Sequence, residues 1–172
     1  MPKCGVAGNW SETVRAQSRH GICVNLGMTK PAKNFTVLIV DDHEPTRLLV
    51  GRILSQELGV RVVLAGTCEQ ALHLAGETVY DAIVLDLLMP GVGGFGVLKQ
   101  LRMESANRAT PVVVLSVVAD EESILRCKVL GANSFVAKPV ERERVAEAVG
   151  ELLPSYAARI NASSWQHLEK RV

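Results

Sequence analysis

The chain has 172 residues, 48% hydrophobic and 22% charged, which suits one compact domain with segments left over and excludes a large multidomain architecture. Nineteen Lys and Arg against 18 Asp and Glu leave a net charge of +1, so no global field draws the molecule to nucleic acid or an anionic membrane. The apolar runs are strand-sized, far below the roughly 18 residues that cross a bilayer.

Residues 1–34 lack sustained periodicity, with Gly, Ser, Asn and Lys scattered through them, and are expected to be mostly disordered. Lys3, Arg15, Arg19, Lys30 and Lys33 against Glu12 give this end a charge of +4. The stretch from Gly21 to Met28 is broken by Asn25 and two glycines, a poor hydrophobic region for a signal peptide. A cytoplasmic location follows as the expectation, and the sequons at Asn9 and Asn161 then carry no meaning. Met28, just ahead of the first predicted strand, is an alternative start. Cys4, Cys23, Cys68 and Cys127 are too far apart for a C-x-x-C pair, which fits a reducing compartment.

From Thr36 the chain alternates short β-branched runs with amphipathic stretches, the pattern of repeated βα units. Strands are predicted at 36–40, 60–65, 82–85, 111–115 and 133–137. Each is nearly all apolar, as strands covered on both faces must be. The first helix carries Leu48, Leu49, Ile53 and Leu58 as its apolar positions, the second Ala71, Leu72 and Ala75, and the third Phe95, Leu98 and Leu101. A fourth spans about 120–130, and a fifth from Glu141 carries Val145, Val149 and Leu152. Gly59 and Gly131 fall where helix C-caps belong, and Pro139 follows the last strand. The expected domain covers 35–153. In the remaining tail, 154–172, Ile160, Trp165, Leu168 and Val172 suit either a frayed end or a docking helix. Arg159, Lys170 and Arg171 against Glu169 make the tail +2, so the middle of the chain carries −5.

The predicted fold is α/β: a doubly wound, five-stranded parallel sheet between two layers of helices, a three-layer sandwich of flavodoxin-like form with strand order 2-1-3-4-5. In such sheets ligands sit outside the carboxyl ends of the strands. Polar residues concentrate there: Asp41 and Asp42 after the first strand, Asp86 after the third, Ser116 after the fourth and Lys138 after the fifth. With the first and third strands adjacent, three carboxylates converge. They must protonate or bind a cation, and a hard divalent ion with oxygen ligands, Mg2+, is the economical solution. An ammonium, a hydroxyl and a metal together neutralise the oxygens of a transferring phosphoryl group. Singly, each residue has a plainer explanation: Asp41 and Asp42 as a pair that caps the next helix, Asp86 as the start of the Met89-Pro90-Gly91 turn, Lys138 as a solvated lysine. Their convergence at one rim favours a site. His43 reads as an exposed helix-start residue, because an oxygen-rich site suits Mg2+ better than the metals imidazole prefers.

The run VLIVDD from Val37 to Asp42, DLLMPGVGG from Asp86, VVVLS ending at Ser116 and AKP at Ala137 to Pro139 occur in order over about 120 of the 172 residues. Together they resemble the receiver (CheY-like) domain of two-component response regulators. The resemblance implies that Asp86 is the phosphoacceptor, taking a phosphoryl group from the phosphohistidine of a sensor histidine kinase or phosphotransfer protein. It implies that Asp41, Asp42, Asp86 and the Leu88 backbone carbonyl hold Mg2+, that Lys138 contacts the phosphoryl oxygens, and that Ser116 and Phe135 form a switch. The Lys138-Pro139 bond is cis in this family, and Gly94 matches the glycine that opens its third helix. Output goes through the fourth helix, fifth strand and fifth helix to a downstream protein target, on a face that could also form a homodimer. The expected activity is self-catalysed phosphotransfer and autodephosphorylation only, with no turnover of external substrates, no direct nucleic-acid contact and no membrane insertion.

Departures from the family sharpen these expectations. Val117 replaces a small residue after the switch hydroxyl and should crowd the phosphoryl pocket. Val118 places an apolar side chain where attacking water would be ordered, which predicts a long-lived phosphoryl group. Gly91, Gly93 and Gly96 spell G-x-G-x-x-G, but Asp86 to Pro90 separate them from a third rather than a first strand, which argues against a dinucleotide site. A stand-alone receiver is the leading reading, because 19 residues after Leu153 are too few for a DNA-binding domain. A receiver fragment of a longer DNA-binding regulator is the alternative. A Mg2+-dependent phosphatase is disfavoured by Leu88, where such enzymes place a second carboxylate, and a receiver that binds without phosphorylation is disfavoured by the full set of chemical residues.

Overall fold

The computed structural model describes Gln17–Ser18, Gly21–Val24 and residues 35–153; the tail 154–172, read above as either a frayed end or a docking helix, lies outside the described residues. In chain order the elements are β1 (Gln17–Ser18), β2 (Gly21–Val24), β3 (Thr36–Val40), α1 (Glu44–Leu58), β4 (Arg61–Ala65), α2 (Cys68–Glu77), β5 (Ala82–Asp86), α3 (Gly93–Glu104), β6 (Val112–Ser116), α4 (Glu121–Val129), β7 (Ser134–Ala137) and α5 (Arg142–Gly150).

The sheet runs β1-β2-β4-β3-β5-β6-β7. Its last five strands are parallel and, counted among themselves, stand in the expected order 2-1-3-4-5. Successive residues on a strand face opposite sides of the sheet, and the core divides accordingly. Leu38, Val40, Ile83, Leu85, Val112 and Val114 face one apolar layer, shared with residues of α2 and α3. Val37, Ile39, Ala82, Val84, Val113 and Leu115 face the other, shared with α1 and α5.

The structure departs from the sequence reading in two places. At the amino end, expected to be mostly disordered, β2 pairs antiparallel with β4, setting Cys23 opposite Val63. The physical reason is local: Ile22, Cys23 and Val24 are strand-forming residues, and β4 otherwise presents an unpaired apolar edge. In α1 the buried face is Val50, Gly51, Ile53 and Leu54, whereas Leu48 and Leu49 are exposed. At about 100° per residue, Val50 and Leu54 share a stripe and Leu48 falls on the far side of it. Gly51 lies at the centre of the contact, where a Cβ would be 3.6 Å from Ile39, Leu64 and Val62. The helix ends as anticipated, with Gly59 in the left-handed conformation at φ 66° and its N–H bonded to the Ser55 carbonyl.

Candidate functional site

Parallel register brings the strand ends to one rim. Val40 is level with Ala65 and Leu85, Asp86 with Leu115, and Ser116 with Ala137, so Asp41, Asp86, Ser116 and Lys138 emerge together. Asp41 and Asp86 are buried, 3% and 4% exposed, while Asp42 is exposed. One carboxylate oxygen from each lies within 4.8 Å of the other two.

Lys138 bridges the two buried acids. Its Nζ donates to Asp41 Oδ2 at 2.8 Å and to Asp86 Oδ2 at 2.7 Å. The remaining oxygens accept backbone N–H groups, Asp41 Oδ1 from His43 at 2.9 Å and Asp86 Oδ1 from Leu88 at 3.1 Å. That second bond sets the Leu88 backbone against the Asp86 carboxylate. Burial pushes the Asp86 carboxyl up from its ordinary range, against the lowering effect of Lys138 and the Leu88 N–H. Burial alone would lower the Lys138 ammonium, but its hydrogen bonds to Asp41 and Asp86 outweigh that and raise it. The Lys138-Pro139 peptide is cis.

This donor set fits a hard divalent cation. It consists of carboxylate oxygens, and three acids face a single ammonium at the rim, which leaves an excess of negative charge in a largely buried place. His43 stands apart as expected, exposed at the N-cap of α1 with its Nδ1 2.8 Å from Thr46 Oγ1.

Ser116 is fully buried, and its hydroxyl accepts the Val118 N–H at 3.1 Å. The Ser116 carbonyl takes the Lys138 N–H at 2.8 Å, so the two chemical residues on neighbouring strands are tied through the backbone. Phe135 is half-buried against the layer shared with α2 and α3, and the Arg126 guanidinium lies 4.3 Å over another ring of that layer, Phe95. Val117, expected to crowd the phosphoryl pocket, is 62% exposed. Helix α4, which follows it, has one buried residue, Cys127.

The glycines separate into two roles. Gly91 and Gly93 adopt φ of 83° and 67° in the turn after β5, a conformation that favours glycine. Gly94, outside the G-x-G-x-x-G pattern, permits the closest approach: a Cβ there would run into the Asp86 carbonyl oxygen and the Leu87 Cα. Helix α3 thus starts directly on the backbone of the buried aspartate, and the Gly94 N–H bonds the Leu87 carbonyl at 3.0 Å.

Sequence reasoning missed Arg47. Its Nη1 donates to the Asp41 carbonyl oxygen at 2.6 Å. A bond to backbone leaves no pattern among side-chain types; the available cue was a basic residue one turn into the helix that follows the acidic pair.

Residues 37–150 match the family model for the response regulator receiver domain. The chain is 39% identical over 125 residues to the sensory/regulatory protein RpfC of Xanthomonas campestris pv. campestris, a match that covers 72% of this chain and 17% of that protein. It is 30% identical over 118 residues to a probable chemotaxis protein CheY of Rhizobium etli, covering 69% of this chain and 92% of the other. Among solved structures, chemotaxis protein CheY4 of Vibrio cholerae superposes with a TM-score of 0.66 at 30% identity, over 70% of this chain and all of that one. The Francisella response regulator 1452 receiver domain gives 0.65 at 28%, over 73% and 99%. The chain spans only 17% of the length of the first curated relatives it matches. No helix among the described residues is long and apolar enough to cross a membrane.

Proposed function

The chain belongs to the response regulator receiver domain family, and on that premise we propose that Asp86 accepts a phosphoryl group from a histidine kinase or phosphotransfer protein, in a Mg2+-dependent reaction that signals to a protein target. The observation that carries this reading is the buried Asp86 carboxylate, held between the Lys138 ammonium and the Asp41 side chain, with Asp42 within reach.

In the proposed step an Asp86 carboxylate oxygen attacks the phosphorus of a phosphohistidine. A new O–P bond forms as the N–P bond breaks, and the imidazole nitrogen keeps the electron pair and takes a proton from water. The product is an acyl phosphate; hydrolysis reverses the modification when water attacks phosphorus and Asp86 leaves as a carboxylate. Asp41, Asp42, Asp86 and the Leu88 carbonyl would hold Mg2+, which supplies charge neutralisation to the phosphoryl oxygens. Lys138, already on Asp86 at 2.7 Å, supplies a second positive charge in a site that largely excludes water. The backbone bond at Leu88 keeps the nucleophile oriented.

The added negative charge acts on groups already present. Ser116 exchanges its bond with the Val118 N–H for one with a phosphoryl oxygen, which shifts the segment leading into α4, and Phe135 moves with it. The readout surface is α4, β7 and α5, toward a target protein or a second copy. The molecule works in the cytoplasm and turns over no external substrate. Incubation with acetyl phosphate and Mg2+, read on a phosphate-affinity gel, should give a retarded band in the wild type and none in Asp86→Asn. An equal band in both proteins places the phosphate elsewhere and overturns the assignment.

A second reading, a receiver within a longer regulator, is favoured by relatives that extend well beyond the match: the chain covers 44% of the Escherichia coli phosphate regulon regulator PhoB. The reading frame that encodes the chain decides between them.

A further inference from the structure

We infer that Arg47 is a positioning residue for the cation site: it fixes the Asp41–Asp42 peptide and thereby aims the Asp42 carboxylate. The inference rests on the receiver reading above. Asp41 needs no such help, because its N–H bonds the Ala65 carbonyl, its Oδ1 takes the His43 N–H and its Oδ2 takes Lys138 Nζ. Asp42 is exposed, and among the described residues no hydrogen bond to its carboxylate is made. Its placement therefore follows from its backbone rather than from a hydrogen-bonded partner. The Asp41 carbonyl and the Asp42 N–H belong to one planar peptide unit, and Arg47 Nη1 grips that carbonyl at 2.6 Å.

The grip is itself seated. A Cβ on Gly66 would stand 3.1 Å from Arg47 Nη1 and 3.4 Å from Cζ, so the guanidinium occupies the space a side chain would take at the start of the β4–α2 connection. The Gly66 N–H in turn bonds Gln70 Oε1 at 2.8 Å. Arg47 thus joins the β3–α1 loop to the β4–α2 loop behind the acidic cluster. Among the described residues it makes no ion pair, although carboxylates crowd the neighbouring rim. Such a bond directs geometry rather than neutralising charge.

Charge and positioning predict opposite signs. A guanidinium near an anionic site repels a cation, so removing it should tighten Mg2+ binding if charge were its role. If it positions Asp42, removal should weaken binding, by about ten-fold or more, as loss of an outer partner does at metal sites. The test is isothermal titration of Mg2+ into the full chain, for the wild type, Arg47→Met, Arg47→Lys and Gly66→Ala, with circular dichroism to confirm folding. Expected are a loss of about ten-fold in Arg47→Met, a smaller loss in Arg47→Lys, which keeps charge and a donor but not the fork, and a loss of about two- to three-fold in Gly66→Ala, whose methyl displaces the guanidinium by tenths of an ångström. Unchanged or tighter binding in a folded Arg47→Met overturns the inference and leaves the receiver reading intact. Should that variant not fold, unchanged binding in Gly66→Ala overturns it. A wild type that takes up no Mg2+ overturns the receiver reading and this inference with it.

Discussion

Asn107 and Asp86 are both buried polar residues, at opposite ends of the same sheet. Asn107, in the connection before β6, is fully enclosed, and its partners match it. Its Nδ2 donates to the carbonyls of Ala75 at 2.8 Å and Thr78 at 2.7 Å, while its Oδ1 accepts the Tyr80 N–H at 2.8 Å and the Thr110 hydroxyl at 2.9 Å. A neutral amide thereby satisfies backbone groups at the end of α2 and the approach to β5, as a buried polar group should. At the other rim, Asp86 and Asp41 share one ammonium between two buried charges, with Asp42 alongside. The lower network closes on itself and stabilises; the upper one is left with surplus charge, which is the capacity to bind.

Breaking the lower network should have the largest effect on stability. Asn107→Leu strips the Tyr80 N–H and the Thr78 carbonyl of the Asn107 amide, leaves the Ala75 carbonyl to the Ser105 hydroxyl alone, and should cost about 3 kcal/mol in urea unfolding. The folded fraction should still take phosphate from acetyl phosphate; a stable but unphosphorylatable variant would show that the two rims are not separable in this way. The upper rim should respond to its ligand instead. Mg2+ at about a hundred times its dissociation constant should add about 2.7 kcal/mol to unfolding. That gain should vanish in Asp41→Asn/Asp42→Asn, and a wild-type unfolding curve indifferent to Mg2+ would contradict the site.

A smaller effect sharpens the contrast in the absence of metal. Burial raises the Asp86 carboxyl, so the folded protein keeps that proton to a higher pH than the unfolded chain does. Stability from this group is therefore present at acid pH and falls as pH rises through the raised value. In EDTA, Asp86→Asn should melt higher than the wild type at neutral pH, by less than Asn107→Leu loses, and the advantage should shrink below the ordinary aspartate range. A destabilised Asp86→Asn at neutral pH would mean that the Lys138 pairing outweighs the cost of burial. The smallest effect is expected at Val117. Because its side chain is 62% exposed, Val117→Ala should change the initial rate of phosphorylation by less than about two-fold; a larger acceleration would restore the crowding that its bulk suggests in the sequence.

Much of this was legible before any coordinates. Five strands are placed within a residue at each end, because runs such as Val112 to Leu115 are too apolar and too short to be anything but doubly covered strands. The upper rim was legible for the same reason: charged residues that directly follow such runs stand out. What escaped depends on contacts rather than patterns. Leu48 and Leu49 look like core until the phase of α1 is fixed by Gly51 against the sheet. The pairing of Gly21–Val24 with β4 is a long-range match of two edges that no local periodicity announces. Arg47 acts on a carbonyl, and every residue has one. Gly94, conversely, was read from resemblance, and the structure supplies its cause in the backbone of Asp86 and Leu87.

The central claim is that the surplus charge of the upper rim serves one covalent event on one side chain. Treating the protein with acetyl phosphate and Mg2+, reducing the product with borohydride and mapping the peptides by mass spectrometry tests it directly, because hydride converts an aspartyl phosphate to homoserine. The account predicts homoserine at position 86 in a Mg2+-dependent yield. Homoserine at another aspartate, or an unmodified Asp86 after full reaction, would contradict it.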